Sequence, residues 1–157
     1  MQIWPYLPRL DAEAPSIPAV IKQDPEDFVV EEVAAYEPSG QGEHLFLWIE
    51  KRDISAEGLL KHLAQQLKID RRDIGMAGMK DRRAITRQWV SVPAAAESRV
   101  ERVEASAIRV LKSGRHKNKL KTGHLVANRF SIHVRGIAKP LRESVLASVT
   151  RVAASGF

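Results

Sequence analysis

The sequence predicts an α+β fold, a mixed and mostly antiparallel sheet with helices packed against one side, and three stretches carry that reading. Between Val126 and Arg135 side chains alternate at strand period. Val126, Asn128, Phe130, Ile132 and Val134 share one face, and Ala127, Arg129, Ser131, His133 and Arg135 share the other. The run from His44 to Glu50 is apolar on both faces, the pattern of a central strand covered on both sides. Leu59, Leu60, Leu63 and Leu67 recur at helical spacing behind Ser55, a suitable N-cap with Glu57 in the first turn, which predicts a helix over 56–68. Gly58 stands where a full capping box needs Glu or Gln.

The remaining elements follow in chain order. Pro5, Pro8, Pro15 and Pro18 remove backbone donors and predict an extended arm over 1–18. From Ala19 to Val33, β-branched residues with partial alternation predict two short strands joined at Asp24-Pro25-Glu26. A turn over 38–42 precedes the central strand. Ile74 to Met79 is apolar but too small and glycine-rich for ordinary strand packing, so it reads as a short strand entering a tight loop. A strand over roughly 87–93, a short helix over roughly 96–103 and a strand over roughly 107–113 follow. Leu141, Val145, Leu146 and Val149 predict a closing helix to about residue 154. No internal repeat or low-complexity segment interrupts this order.

Composition narrows the function classes. The 157 residues suit one domain with a real core, and no apolar run approaches the roughly 20 residues of a membrane helix. The N-terminus lacks the pattern of a secretory signal, and the expected location is the cytosol. With no cysteine, disulfides, thiol catalysis and thiolate metal sites are excluded. The histidines His44, His62, His116, His124 and His133 are scattered without metal-ligand spacing, so no metal is expected, and no glycine-rich nucleotide fingerprint is present. Charge is the telling feature. From Ala105 to Arg142 there are ten basic residues and no acidic one, whereas the rest of the chain has 15 basic and 19 acidic. A local cationic field of that kind favours a polyanion over a membrane, since the segment lacks the large apolar face of an interfacial helix.

Three constellations are candidates for chemistry. The first is the loop around Lys80 and Asp81. Gly75 and Gly78 let its backbone bend and let a ligand approach the Asp81 carboxylate, although an aspartate beside a lysine in a loop is by default a solvated turn residue. The second is the run Arg115, His116, Lys117, Asn118, Lys119, Leu120, Lys121, whose cations suit phosphates or, more plainly, a solvated surface. The third is the Asn128/Phe130 face. Phe130 suits stacking on an unstacked base or packing in the core, and Phe28 shares that ambiguity. An amide on an apolar face needs a partner if it is buried.

Together these segments resemble the TruD family of pseudouridine synthases, which isomerise uridine in tRNA. Lys22-Gln-Asp-Pro-Glu-Asp-Phe-Val-Val-Glu31 resembles the family's first motif, and Ala77-Gly-Met-Lys-Asp-Arg-Arg-Ala-Ile-Thr-Arg-Gln-Trp89 its catalytic motif. Arg115-His-Lys-Asn-Lys-Leu120 and Asn128-Arg-Phe130 are similar to its third block. The resemblance puts Asp81 on the family's essential aspartate, and Lys22, Phe28, Lys80, Asn128 and Phe130 on its active-site motifs as substrate-binding residues. It implies that Phe28 and Phe130 shape the pocket or stack, that Asn128 orients the carboxylate or substrate, and that Thr86 and Gln88 support the loop from behind. Arg115, His116, Lys117, Lys119 and Lys121 would then hold the tRNA backbone.

The chemistry so implied needs no cofactor and no metal. The N1–C1′ bond breaks, the uracil turns over, and C5 joins C1′, with an ionised carboxylate acting either as nucleophile or as a base on the ribose. Lys80 or Arg82 would help keep that carboxylate charged. The target, uridine 13 in bacterial members, would leave its stack to enter the pocket. Residues 19–157 read as the N-terminal half of the catalytic domain, stopping before an Asn-Tyr-Phe-Gly-like motif, the rest of the sheet and an inserted second domain. The full-length form is expected to be monomeric. A truncated, non-catalytic RNA-binding module is the alternative, and a protein-interaction domain with a fortuitous basic stretch is a third.

Overall fold

The computed structural model describes residues 17–155, so the arm expected over 1–18 lies, except for its last two residues, outside the described residues. Two compact units divide the chain. The larger, Ile21–His133, contains a six-stranded sheet. Its strands are β1 (Phe28–Ala34), β2 (His44–Arg52), β3 (Gly75–Met76), β4 (Ile85–Pro93), β5 (Ile108–His116) and β6 (Leu125–Ile132), in the order β5-β2-β4-β1-β6, with β3 on β4. Only the β1/β4 pair is parallel, so the sheet is mixed and mostly antiparallel.

β2 and β4 form the centre because both are apolar on both faces. Leu45, Leu47 and Ile49 of β2 and Val90 and Val92 of β4 face one side, where they meet Leu59, Leu63 and Leu67 of helix α1 (Ala56–Leu67) together with Ala96 and Val103. Phe46 and Trp48, one residue out of phase, meet Trp89 and Leu120 on the opposite side. Burial of the three leucines, each worth roughly 1.5–3 kcal/mol, fixes α1 on the sheet. Ser55 caps α1 as expected, its hydroxyl accepting from Gly58 N at 3.0 Å. Residues Ala94–Val103 form a 3-10 helix on the same side, where an ordinary short helix was expected.

Three local expectations are corrected. Of the two strands expected between Ala19 and Val33, only β1 forms, and Val20 makes a single bridge to Arg135. The intervening turn is one 3-10 turn, Pro25–Asp27, closed when Asp24 N donates to the Asp27 carboxylate at 3.1 Å. Neither Gly75 nor Gly78 adopts a positive φ. Gly75 is required for a different reason: a Cβ there would lie 2.2 Å from the Leu120 carbonyl oxygen and 2.5 Å from Ser91 Oγ, so protein, and not ligand, makes the close approach.

The smaller unit holds the Val20/Arg135 bridge and helix α2 (Arg142–Ser155), matching the closing helix expected from the apolar spacing. Among the described residues no helix is long and apolar enough to cross a membrane.

Candidate active site

The end of β2, the start of β1 and the loop between β3 and β4 bring the first constellation together. Asp81 lies at that loop, and its carboxylate accepts from Lys22 Nζ at 2.6 Å. Both side chains are partly exposed, 39% for Asp81 and 28% for Lys22, so the pair is reachable from solvent without being surrounded by it. The same ammonium sits 3.7 Å above the Phe28 ring. That distance is well inside cation–π range. Lys22 adopts a left-handed backbone, φ 57°, a conformation in which a non-glycine residue is uncommon and held only when its surroundings impose it.

Phe28 meets Phe130 edge to face at 5.8 Å between ring centres. The β1/β6 register explains the contact, because Val30 lies opposite Phe130, Phe28 opposite Ile132 and Glu32 opposite Asn128, which puts all six on one face of the sheet. Phe28 is buried, whereas Phe130 keeps 53% of its surface open. Asn128 is exposed on the same face, so its amide is solvated and needs no buried partner. β6 is the edge of the described sheet, which is why its alternating apolar face is open at Val126, Phe130 and Ile132.

Lys80 and Arg82, equivalent in sequence, have opposite fates. Arg82 is exposed, 4.0 Å from Asp53. Lys80 turns inward to Glu32 of β1, Nζ to Oε2 at 3.0 Å, with both side chains almost wholly buried. That contact is an ion pair held by charge and proximity, since the Oε2 atom has no aligned hydrogen bond, while Oε1 accepts from Trp89 N at 3.4 Å. Lys80 was expected to touch substrate, but its ammonium is engaged inside the sheet. Thr86 and Gln88 are buried on β4, and Gln88 donates to Met76 Sδ at 3.4 Å, at the root of the loop.

Two members of this arrangement escaped sequence reasoning. Glu32 continues the buried phase of Phe28 and Val30, and Lys51 continues that of Leu45, Leu47 and Ile49. A charge at the next period-two position of a buried strand face was the available signal. Lys51 is fully buried and donates to the main-chain carbonyls of Ile54 at 2.6 Å and Asp81 at 2.7 Å. Burial drives its pKa down to about 8, against the opposing attraction of Asp81.

The basic run divides by destination. Arg115 pairs with Glu97, the His116 ring packs between Tyr36 and Phe46 and accepts from Ser39 N at 3.2 Å, and Lys119 donates to the Arg72 carbonyl. Lys117 and Lys121 are exposed. The loop they belong to meets the candidate site's own loop through Gly123 N donating to the Ala77 carbonyl at 2.8 Å, and meets β4 through Leu120 N donating to Ser91 Oγ at 2.9 Å. A hollow of about 380 Å³, lined by Tyr36, Trp48, Trp89, Lys112 and Arg129 among others, does not include Asp81. Its cations are engaged, Lys112 with Glu37 and Arg129 with Glu31. Among the described residues no group of three His, Asp or Glu side chains is arranged to hold a metal ion.

Comparison with known proteins agrees with the motifs. A tRNA pseudouridine synthase D of Geobacter sp. strain M21 is 51% identical over 130 residues, which are 83% of this chain and 33% of that protein. The synonymous protein of Geobacter metallireducens is 46% identical over 145 residues, 90% of this chain and 36% of its own length. The crystal structure of a Methanosarcina mazei protein described as a TruD pseudouridine synthase superposes with a TM-score of 0.82 at 30% identity, over 92% of this chain and 34% of that one. The chain thus spans about a third of the length of the relatives it matches. The family model for tRNA pseudouridine synthase D (TruD) matches residues 10–156, and with nearly the whole sequence inside it, the chain belongs to the TruD family.

Proposed function

We propose that this chain carries the catalytic carboxylate of a tRNA pseudouridine synthase, that the carboxylate is Asp81, and that the target is uridine 13. One observation carries the reading: a solvent-reachable Asp81 carboxylate is tied by Lys22 to Phe28, whose ring joins the open ring of Phe130. A carboxylate in this place can attack C1′ or take a ribose proton. Phe130 presents an aromatic face on which an extruded uracil can stack, and Asn128, two residues away on the same side, presents donors and acceptors for its edge. Lys80 acts at one remove, anchoring the loop through Glu32. Lys117 and Lys121 hold RNA phosphates. The reaction draws on no cofactor or metal, and the enzyme works as a cytoplasmic monomer in which residues 19–157 form the first part of the catalytic domain.

The test uses tRNA and the longest product of the reading frame that encodes this chain. Asp81→Asn abolishes pseudouridine formation at position 13, read by chemical mapping, while tRNA affinity stays within about twofold, because an isosteric amide leaves the phosphate contacts in place. Conversion at an unchanged rate sinks the assignment. The second reading, an RNA-binding module, is favoured by the exposed Lys117 and Lys121. It predicts salt-dependent tRNA binding with no pseudouridine formed by any product of the frame.

A further inference from the structure

Lys51 occupies a position that an apolar residue would fill at less expense. Bringing an ammonium out of water costs several kcal/mol unless oxygen atoms receive its protons, and replacing buried charge by a well-packed hydrophobe is often neutral or stabilising. Here the acceptors are two neutral carbonyls and not a carboxylate, so stability alone gives no account of the charge. What the ammonium grips is informative. One of the two carbonyls belongs to Asp81 itself.

Residues 80 and 81 are thus held by separate buried charges, Lys80 by Glu32 of β1 and the Asp81 peptide by Lys51 of β2. Fixing that carbonyl fixes the plane from which the Asp81 side chain departs, and the side chain reaches Lys22. The loop's far end is tied separately, Asp53 N donating to the Ala84 carbonyl at 3.1 Å. We propose that Lys51 is the positioning residue for Asp81, its ammonium holding the aspartate's own peptide so that the carboxylate faces Lys22 and the Phe28–Phe130 surface. This rests on the reading of Asp81 as the catalytic carboxylate.

The groups that face Lys51 are Asp81 and Lys80 from the loop, Asp53 from the turn after β2, and the neutral Thr86 opposite it on β4. Behind these stand Lys22, Glu32 and Arg82, paired with Asp81, Lys80 and Asp53. Burial first, and then the neighbouring Lys80, pull the Lys51 pKa down to about 8, while Asp81 and Asp53 oppose that shift. The grip should therefore loosen near that pH, in a range where carboxylates have long since ionised.

The test has a structural arm and a catalytic one. In the chain labelled with ¹³C at aspartate Cγ, the Asp81 signal, assigned by its loss in Asp81→Asn, should move a second time around pH 8. Lys51→Met and Lys51→Arg should both abolish that second movement, with a proton–nitrogen correlation spectrum checking that each variant is folded. A wild-type signal that stays flat from about pH 7 up through the ordinary lysine range overturns the proposal, even if both variants fail to fold. With tRNA and the longest product of the frame, Lys51→Met should lower kcat by about a hundredfold with little change in KM, the scale expected when a reacting group is misplaced by an ångström. Lys51→Arg should recover much of kcat and lose the alkaline fall expected of the wild type. A rise in KM with kcat intact overturns the proposal. If Asp81→Asn converts uridine normally, the catalytic reading fails, and the second movement of the carboxyl signal still reports whether Lys51 holds Asp81.

Discussion

Lysines in two regions of this molecule are alike in sequence and opposite in fate. Lys51 and Lys80, at the loop that carries Asp81, are buried and bound to the protein's own oxygens. Lys117 and Lys121, on the basic run after β5, are exposed. A buried cation acts over one bond length and is unaffected by salt, so it can set the position of a neighbouring group. An exposed cation acts through a field that salt screens within about 10 Å, so it can gather a polyanion but not place an atom. On the proposed reading, position and attraction come from different lysines, and the net charge of +6 counts both kinds alike.

The largest effect that breaks this contrast is expected at Lys80. Lys80→Met leaves the Glu32 carboxylate buried without its cation, which should destabilise the protein by roughly 3–5 kcal/mol in chemical denaturation. Adding Glu32→Gln should restore much of that loss. Equal melting of the single and double variants would show that the pair is not coupled.

The next effect concerns Lys51 and pH. Its folded pKa, about 8, lies below the ~10.4 of an unfolded lysine, so between those values the unfolded chain binds more protons and stability rises with pH. The penalty is fully present below pH 8 and is gone above the unfolded value, a gain of at most about 3 kcal/mol. Lys51→Met should flatten this rise in denaturation midpoints measured across that window. Activity should run the other way, falling as stability climbs, which separates Lys51 from a cation that merely supports the fold.

A smaller change is expected away from both regions. Ser55→Ala removes the cap of α1 and should cost about 1 kcal/mol, with no effect on RNA affinity. At the exposed end of the comparison, Lys117→Ala and Lys121→Ala should leave the melting temperature unchanged. Each should weaken tRNA binding and lower the slope of log affinity against log salt by roughly one. A slope that does not change would remove that lysine from the RNA surface.

Much of the fold was legible because it rests on periodicity. The alternation over β6, the doubly apolar β2 and the leucine spacing of α1 each follow from one side chain pointing one way. The site was legible only through motif resemblance, since nothing local distinguishes Asp81 from a solvated turn aspartate. Lys80 and Arg82, on either side of Asp81, look interchangeable in sequence, and only Glu32, 48 positions before Lys80, decides which one turns in. Gly75 was credited with admitting a ligand, whereas the atom that approaches it is the Leu120 carbonyl.

By itself, then, the sequence determined most of the elements, the cap of α1, the central character of β2 and the family to which the chain belongs. Those follow from local periodicity and from residue identity. The tertiary structure alone decided which charges are buried and what they hold: Lys22 on Asp81 across 59 positions, Lys51 on the Asp81 carbonyl across 30. The physical reason is that a charge's energy depends on the oxygens and the water around it, and those neighbours are assembled only when distant strands pair.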